Sequence, residues 1–161
     1  MTEPDVALTD YAVALECAIF TWLLLRKESV RGSLRSLFAL FFSSIGAGAL
    51  MGGTVHGFFS DPASPAGAVL WRSTLLALGV ATFAVWSIGG RLLFSERAAR
   101  IVQTIAAIEC AAFAIVVVAF DQRFGIAIAN YAPSVVFLGA AFWIFDRREP
   151  RRGARLGLLG V

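Results

Sequence analysis

Residues 33–59 read SLRSLFALFFSSIGAGALMGGTVHGFF, and after Arg35 this stretch carries no residue charged at neutral pH as far as Phe59. An uncharged apolar run of this length exceeds the roughly 20 residues a helix needs to cross a bilayer. Four further long, predominantly apolar runs flank it, so the expected spans are 9–25, 33–59, 65–94, 98–120 and 124–145. The fold class expected is an all-α membrane protein, a single bundle of five transmembrane helices. An incomplete sixth helix is one reading of residues 156–161, and a basic tail over 146–161 lying on anionic lipid is the other.

Composition agrees. Of the 161 residues, 58% are hydrophobic and 16% charged, and the mean hydropathy is +0.77. A soluble domain is nearer a quarter charged. A β-barrel would alternate polar and apolar residues over about ten positions, and the runs here are continuous. Lipid leaves only helices or closed barrels able to satisfy every backbone group, so helices are expected. The acidic N-terminus (Glu3, Asp5, Asp10) lacks the basic region of a signal peptide. The first apolar segment is therefore expected to be a retained helix, with Thr9 or Asp10 as its cap. Cys17 and Cys110 both fall inside spans, outside any CxxC spacing, and are expected to be buried thiols.

The basic residues orient the bundle. Twelve of the 14 fall on one side, in the segments around Arg26, Lys27, Arg31 and Arg35, around Arg91, Arg97 and Arg100, and around Arg147, Arg148, Arg151, Arg152 and Arg155. Arg72 and Arg123 lie on the other side with Glu3, Asp5, Asp10, Asp61 and Asp121. The positive-inside rule then places the N-terminus outside and the C-terminus in the cytoplasm of a cell inner (plasma) membrane. Trp22 and Trp143 fall near inner helix ends and Trp71 near an outer one, as interfacial tryptophans do.

Ionisable groups within spans are costly and point to function. Glu16, His56, Glu109 and Asn130 form this polar intramembrane set. Counting from the expected helix ends, Glu16 sits roughly 9 Å deep and His56 roughly 5 Å deep. A Glu16–His56 contact is therefore expected if the first two helices are neighbours. Ser44, Gly48, Gly52 and His56 recur every four residues, a small-residue stripe of the kind that lets helices approach closely. His56 is accordingly expected to face a neighbouring helix.

Three readings stay open for these groups. They form a structural hydrogen-bonded cluster with protonated carboxyls. They form a metal site of His56 with Glu16, Glu109 or Asp61, although zinc usually takes three or four protein ligands. Or Glu16 and Glu109 form a proton or ion relay. The segments 15–20 (LECAIF) and 108–113 (IECAAF) match each other and suggest an inverted repeat, as in some transporters. Arg72 is read either as a site for a lipid headgroup or other anion or as a snorkelling side chain. Ser43, Ser44 and Ser60 lack a nucleophile-elbow context. The glycine-rich run lacks a P-loop pattern, and no nucleic-acid motif accompanies the tail arginines.

The segment Gly52-Gly53-Thr54-Val55-His56-Gly57-Phe58 reads GGTVHGF, and Thr9-Asp10-Tyr11 opens the first helix. With these motifs the chain resembles an uncharacterised group of bacterial multipass membrane proteins. That group is similar to the CREST superfamily of alkaline ceramidases and progestin/adiponectin-receptor-like proteins. The resemblance implies a lipid amidohydrolase with zinc, His56 as one ligand and Asp61 as the candidate acidic ligand. The chain departs from that pattern at Gly52, where the superfamily usually has serine, and in lacking its C-terminal histidines. Three functions follow as expectations: a degenerate or truncated lipid hydrolase, a small transporter or proton-coupled subunit using Glu16 and Glu109, and a non-catalytic scaffold. Substrate and oligomeric state are not legible.

Overall fold

The computed structural model describes residues 3–26, 33–59, 61 and 64–148. Five helices account for nearly all of them: α1 (Pro4–Leu25), α2 (Leu34–Phe58), α3 (Pro65–Leu93), α4 (Glu96–Ala119) and α5 (Phe124–Arg148). All five are long and apolar enough to span a bilayer, and the chain is an all-α membrane protein as expected. The tail from 149 onward, the 156–161 segment and the basic residues Lys27 and Arg31 lie outside the described residues.

Local chemistry sets the helix ends. Ser33 and Ser64 each accept a hydrogen bond from the backbone N–H three residues on, at 3.3 Å, capping α2 and α3. Pro65 occupies the first turn of α3, where its missing N–H leaves nothing unpaired. The same logic moves the start of α1. Pro4 opens the helix with Glu3 as its N-cap residue, so neither Thr9 nor Asp10 is a cap. Thr9 Oγ1 instead donates to Asp5 O at 2.8 Å inside the helix. Within the spans, Thr74, Thr82, Ser87 and Thr104 each donate to the carbonyl four residues back, which satisfies their hydroxyls without water.

Helix α3 is the hub, packing against α2, α4 and α5, while α1 packs chiefly on α2. Glycines create the notches. A Cβ on Gly79 would lie 2.7 Å from the Phe113 ring of α4, and one on Gly89 would lie 2.5 Å from the Phe137 ring of α5. Each ring thus packs directly on bare α3 backbone, the close approach that replaces the hydrophobic drive in lipid. Two buried clusters result. Leu75, Phe113, Val117 and Ala127 sit toward one end, and Leu37, Val85, Ile88 and Leu138 toward the other. The outer surface is apolar, with Leu15, Ile108, Ile115 and Val136 all more than 60% exposed.

The end formed by the start of α1, the end of α2 and the α4–α5 turn carries Glu3, Asp5, Asp61 and Asp121. This is the acidic end of the bundle. The opposite, basic end carries Arg91, Arg97, Arg100, Arg147 and Arg148.

Candidate functional site

The register of α1 on α2 is set by two glycines. A Cβ on Gly46 would lie 2.9 Å from Cys17 Cβ, and one on Gly53 would lie 2.8 Å from Asp10 Cβ and 3.2 Å from Ala7 O. This interlock carries the start of α1 up to the end of α2. His56 Nδ1 lies 2.6 Å from Glu3 Oε2, and the Glu3 backbone N–H donates to His56 O at 3.3 Å. With Glu3 ionised it can only accept, so the proton of this bond sits on Nδ1. The pair is half in water, with side-chain exposures of 35% for His56 and 52% for Glu3.

Trp71 of α3 stands edge-on to His56, with ring centroids 6.2 Å apart and planes at 88°. Its indole N–H donates to Gln122 O at 2.8 Å, which ties the ring to the α4–α5 turn. Tyr11 OH donates to Thr54 Oγ1 at 3.2 Å, while Thr54 donates to Leu50 O at 2.7 Å. Asp10 lies over the bare backbone of Gly52: a Cβ there would be 3.6 Å from Asp10 Oδ2 and 3.6 Å from Thr74 Cγ2.

These residues frame two openings that share His56 and Trp71 as lining. The first, about 410 Å³, is a vestibule at the acidic end, where Glu3, His56, Asp61 and Gln122 stand on an otherwise apolar lining of Val55, Phe59, Ala68 and Trp71. The second, about 580 Å³, is a groove among α1, α2, α3 and the start of α5. Its walls are Val6, Ile45, Ala49, Leu78 and Phe124, with Gly48 and Gly52 along its floor, and its polar groups are Asp10, His56 and Thr74. His56 and Trp71 line both. Volumes of this size and an apolar wall with few polar groups are what small-molecule sites have.

The expected residues are distributed differently from the sequence reading. His56 does face neighbouring helices along the Gly48–Gly52 stripe. Glu16 is not its partner. The earlier start of α1 makes Glu16 the 13th of 22 residues, roughly 18 Å from the helix start and not 9 Å. The side chain is exposed on the outer face of the bundle. Cys17 sits against Gly46, ten positions before His56, so Glu16 is roughly 15 Å along the helix from that ring. Glu109 is half-buried at the other edge, in a small α3–α4 recess with Trp86 and Ala106. Its carboxyl is near the Trp86 indole, yet Trp86 Nε1 has no partner at hydrogen-bonding geometry. Since α1 and α4 do not form a packed pair, Glu16 and Glu109 are not brought together.

Asn130 donates to Thr82 Oγ1 at 3.1 Å and joins α5 to α3. Arg72 is exposed on α3, outside both openings. Asp61 reaches the vestibule rim. Among the described residues no three His, Cys, Asp or Glu side chains group as a metal ion would require. The donor set therefore does not fit a zinc centre of three or four protein ligands.

Sequence reading missed Glu3, Asp10 and Trp71 as parts of the site. Pro4 was the available signal for the first two: read as a first-turn proline, it carries the helix to Glu3 and places Asp10 inside the span.

The fold and this half-apolar site define a multipass helical membrane protein. Residues 6–161 match the model of DUF6962, a family of unknown function, and the chain belongs to that family. Neither the curated proteins nor the solved structures give a match to it.

Proposed function

We propose that this protein binds a single-chain amphiphile with a cationic head, holding the tail in the groove and the head at its mouth. The observation that carries this reading is the position of His56 and Trp71, which line both the apolar groove and the acidic vestibule. An amphiphile is the kind of ligand that matches an apolar groove whose mouth, at His56 and Trp71, adjoins the carboxylates of the acidic end. The carboxylates of Glu3, Asp10 and Asp61 favour a positive head, and His56 is already engaged by Glu3. The rings of Trp71 and Phe124, tilted at 45° with centroids 6.1 Å apart, stiffen the wall where head and tail meet.

This reading keeps the lipid-directed chemistry implied by the CREST resemblance. It assigns no hydrolytic step, because the donor set around His56 offers one histidine and carboxylates alone.

The test uses Trp71 as reporter. In a protein whose other three tryptophans are phenylalanine, held in nanodiscs, a dodecylamine brominated along its chain is titrated against Trp71 fluorescence. Saturable quenching is expected, weakened several-fold by Asp10→Asn. Equal quenching by the brominated carboxylic acid, or none by either, would overturn the proposal.

The charge asymmetry supports a membrane orientation with the acidic end outside and the arginines of the basic end against cytoplasmic anionic lipid. Impermeant maleimide applied to whole cells should label a cysteine at Asp121 and spare one at Arg97.

A further inference from the structure

Glu16 poses a problem that the single chain does not solve. It sits near the middle of α1, and its side chain is exposed. Among the described residues no side chain hydrogen-bonds or ion-pairs with it. Ionisable groups at that depth almost always face a bundle interior or a partner, because an isolated one is costly in hydrocarbon. The side of α1 that meets α2 is marked by Ala7, Asp10, Ala14 and Cys17 around Gly46 and Gly53. With 3.6 residues per turn, Leu8, Ala12, Glu16, Ile19 and Leu23 share the opposite side. All five are exposed, with Leu8 at 59% and Ile19 at 49%.

We infer that this face of α1 is an interface with a second copy of the same chain, related by a two-fold axis along the membrane normal. Such an axis sets each Glu16 opposite its own image at equal depth, with no other residue needed to match. A protonated carboxyl both donates and accepts, so two of them are self-complementary across the axis. Ala12, one turn away, leaves room for the backbones to approach. The position of α1 at the edge of the bundle, with α2 behind it, leaves the face open to a partner. The α4 edge is the weaker candidate for what covers Glu16. Glu109 is half-buried beside Trp86 of its own chain, and an edge-to-edge contact of unlike faces is heterologous, so it gives a ring or an open chain of copies and not a closed pair.

The experiment is oxidative cross-linking in membrane vesicles of the full chain with Cys17 and Cys110 replaced by alanine. Single cysteines are placed at Ala12 and Ile19 on the outer face and at Ala14 on the α2 side. Dimers are expected from Ala12→Cys and Ile19→Cys and not from Ala14→Cys. Photobleaching-step counting in liposomes then measures association. Glu16→Ala should weaken it about tenfold, while Glu16→Gln, which still donates and accepts, stays within twofold. Thermal unfolding of each variant, unchanged from the parent, separates lost association from lost folding. Cross-links of equal yield at all three positions, a monomer by step counting, or an unaltered Glu16→Ala would each overturn the inference.

Discussion

Glu3 Oε2 and His56 Nδ1 lie 2.6 Å apart although 53 positions separate them. The contact closes the antiparallel α1–α2 pair at the acidic end, where the backbone bond from Glu3 N–H to His56 O runs beside it. Both side chains are partly exposed, so solvent screens the pair, and exposed pairs of this kind contribute about 0.2–1 kcal/mol. Glu3→Gln should therefore lower global stability by no more than that. Its larger effect should be local: amide exchange in the first turn of α1 should quicken, read by hydrogen exchange at Ala7. A large drop in the melting temperature would mean that the pair holds far more than the end of one helix.

The α1–α2 register predicts a sharp contrast between two glycines. At Gly53 an added methyl meets Asp10 Cβ and the Ala7 carbonyl, neither of which is the free end of a flexible chain. Gly53→Ala should destabilise by about 1–3 kcal/mol, the usual range for overpacking. Gly125, near the start of α5, has nothing within 4 Å of an added Cβ. Gly125→Ala should be neutral or stabilising by up to about 1 kcal/mol, from helix propensity. Reversible unfolding in mixed detergent measures both, and equal effects at the two positions would contradict the interlock.

Why some of this was legible in the sequence follows from the same residues. Charge segregation announces five helices because each span must exclude unpaired charge, a constraint local to the span. The four-residue spacing of Gly48, Gly52 and His56 gives a helix face for the same reason. The pairing of helices is not local. Whether Glu3 or Glu16 meets His56 depends on Cys17 fitting Gly46 and Asp10 fitting Gly53, contacts between residues far apart in the chain. A cap at Thr9 or Asp10 implies a shorter α1, in which Glu16 lies shallow and near His56. Trp71 reads as an ordinary interfacial tryptophan until the α4–α5 turn is seen to fix its indole through Gln122.

The Asn130–Thr82 bond joins α5 to the α3 hub a turn before Pro133, which removes one backbone donor from α5. Thr82 is buried and also donates to Leu78 O, so it can accept from Asn130 without strain. The coupling between Asn130 and Thr82 should be about 0.6 kcal/mol and no more than about 1.7, the span that double-mutant cycles give for interhelical hydrogen bonds in a membrane protein. Thr82→Val with Asn130→Ala should be less than additive, because each change removes the same bond. A double-mutant cycle on unfolding free energies reads the coupling, and strict additivity would show that the bond contributes nothing.

The turn between α4 and α5 should respond to acid in a defined direction. The Arg123 backbone N–H donates to Asp121 Oδ1 at 2.9 Å, and the Arg123 guanidinium approaches Oδ2 at 2.9 Å. The backbone bond first, and then the guanidinium, hold the Asp121 carboxyl below its ordinary value of 3.8. A carboxyl lowered on folding stabilises the turn fully above that ordinary value and loses the effect as pH falls through the depressed one. The turn should therefore be intact at neutral pH and loosen only in acid below the usual aspartate range. Carbon-13 titration of the Asp121 carboxyl should show this depressed midpoint. Arg123→Ala should bring it only part of the way back, since the backbone donor remains. Full recovery in that variant would place the guanidinium, and not the turn itself, as the leading cause.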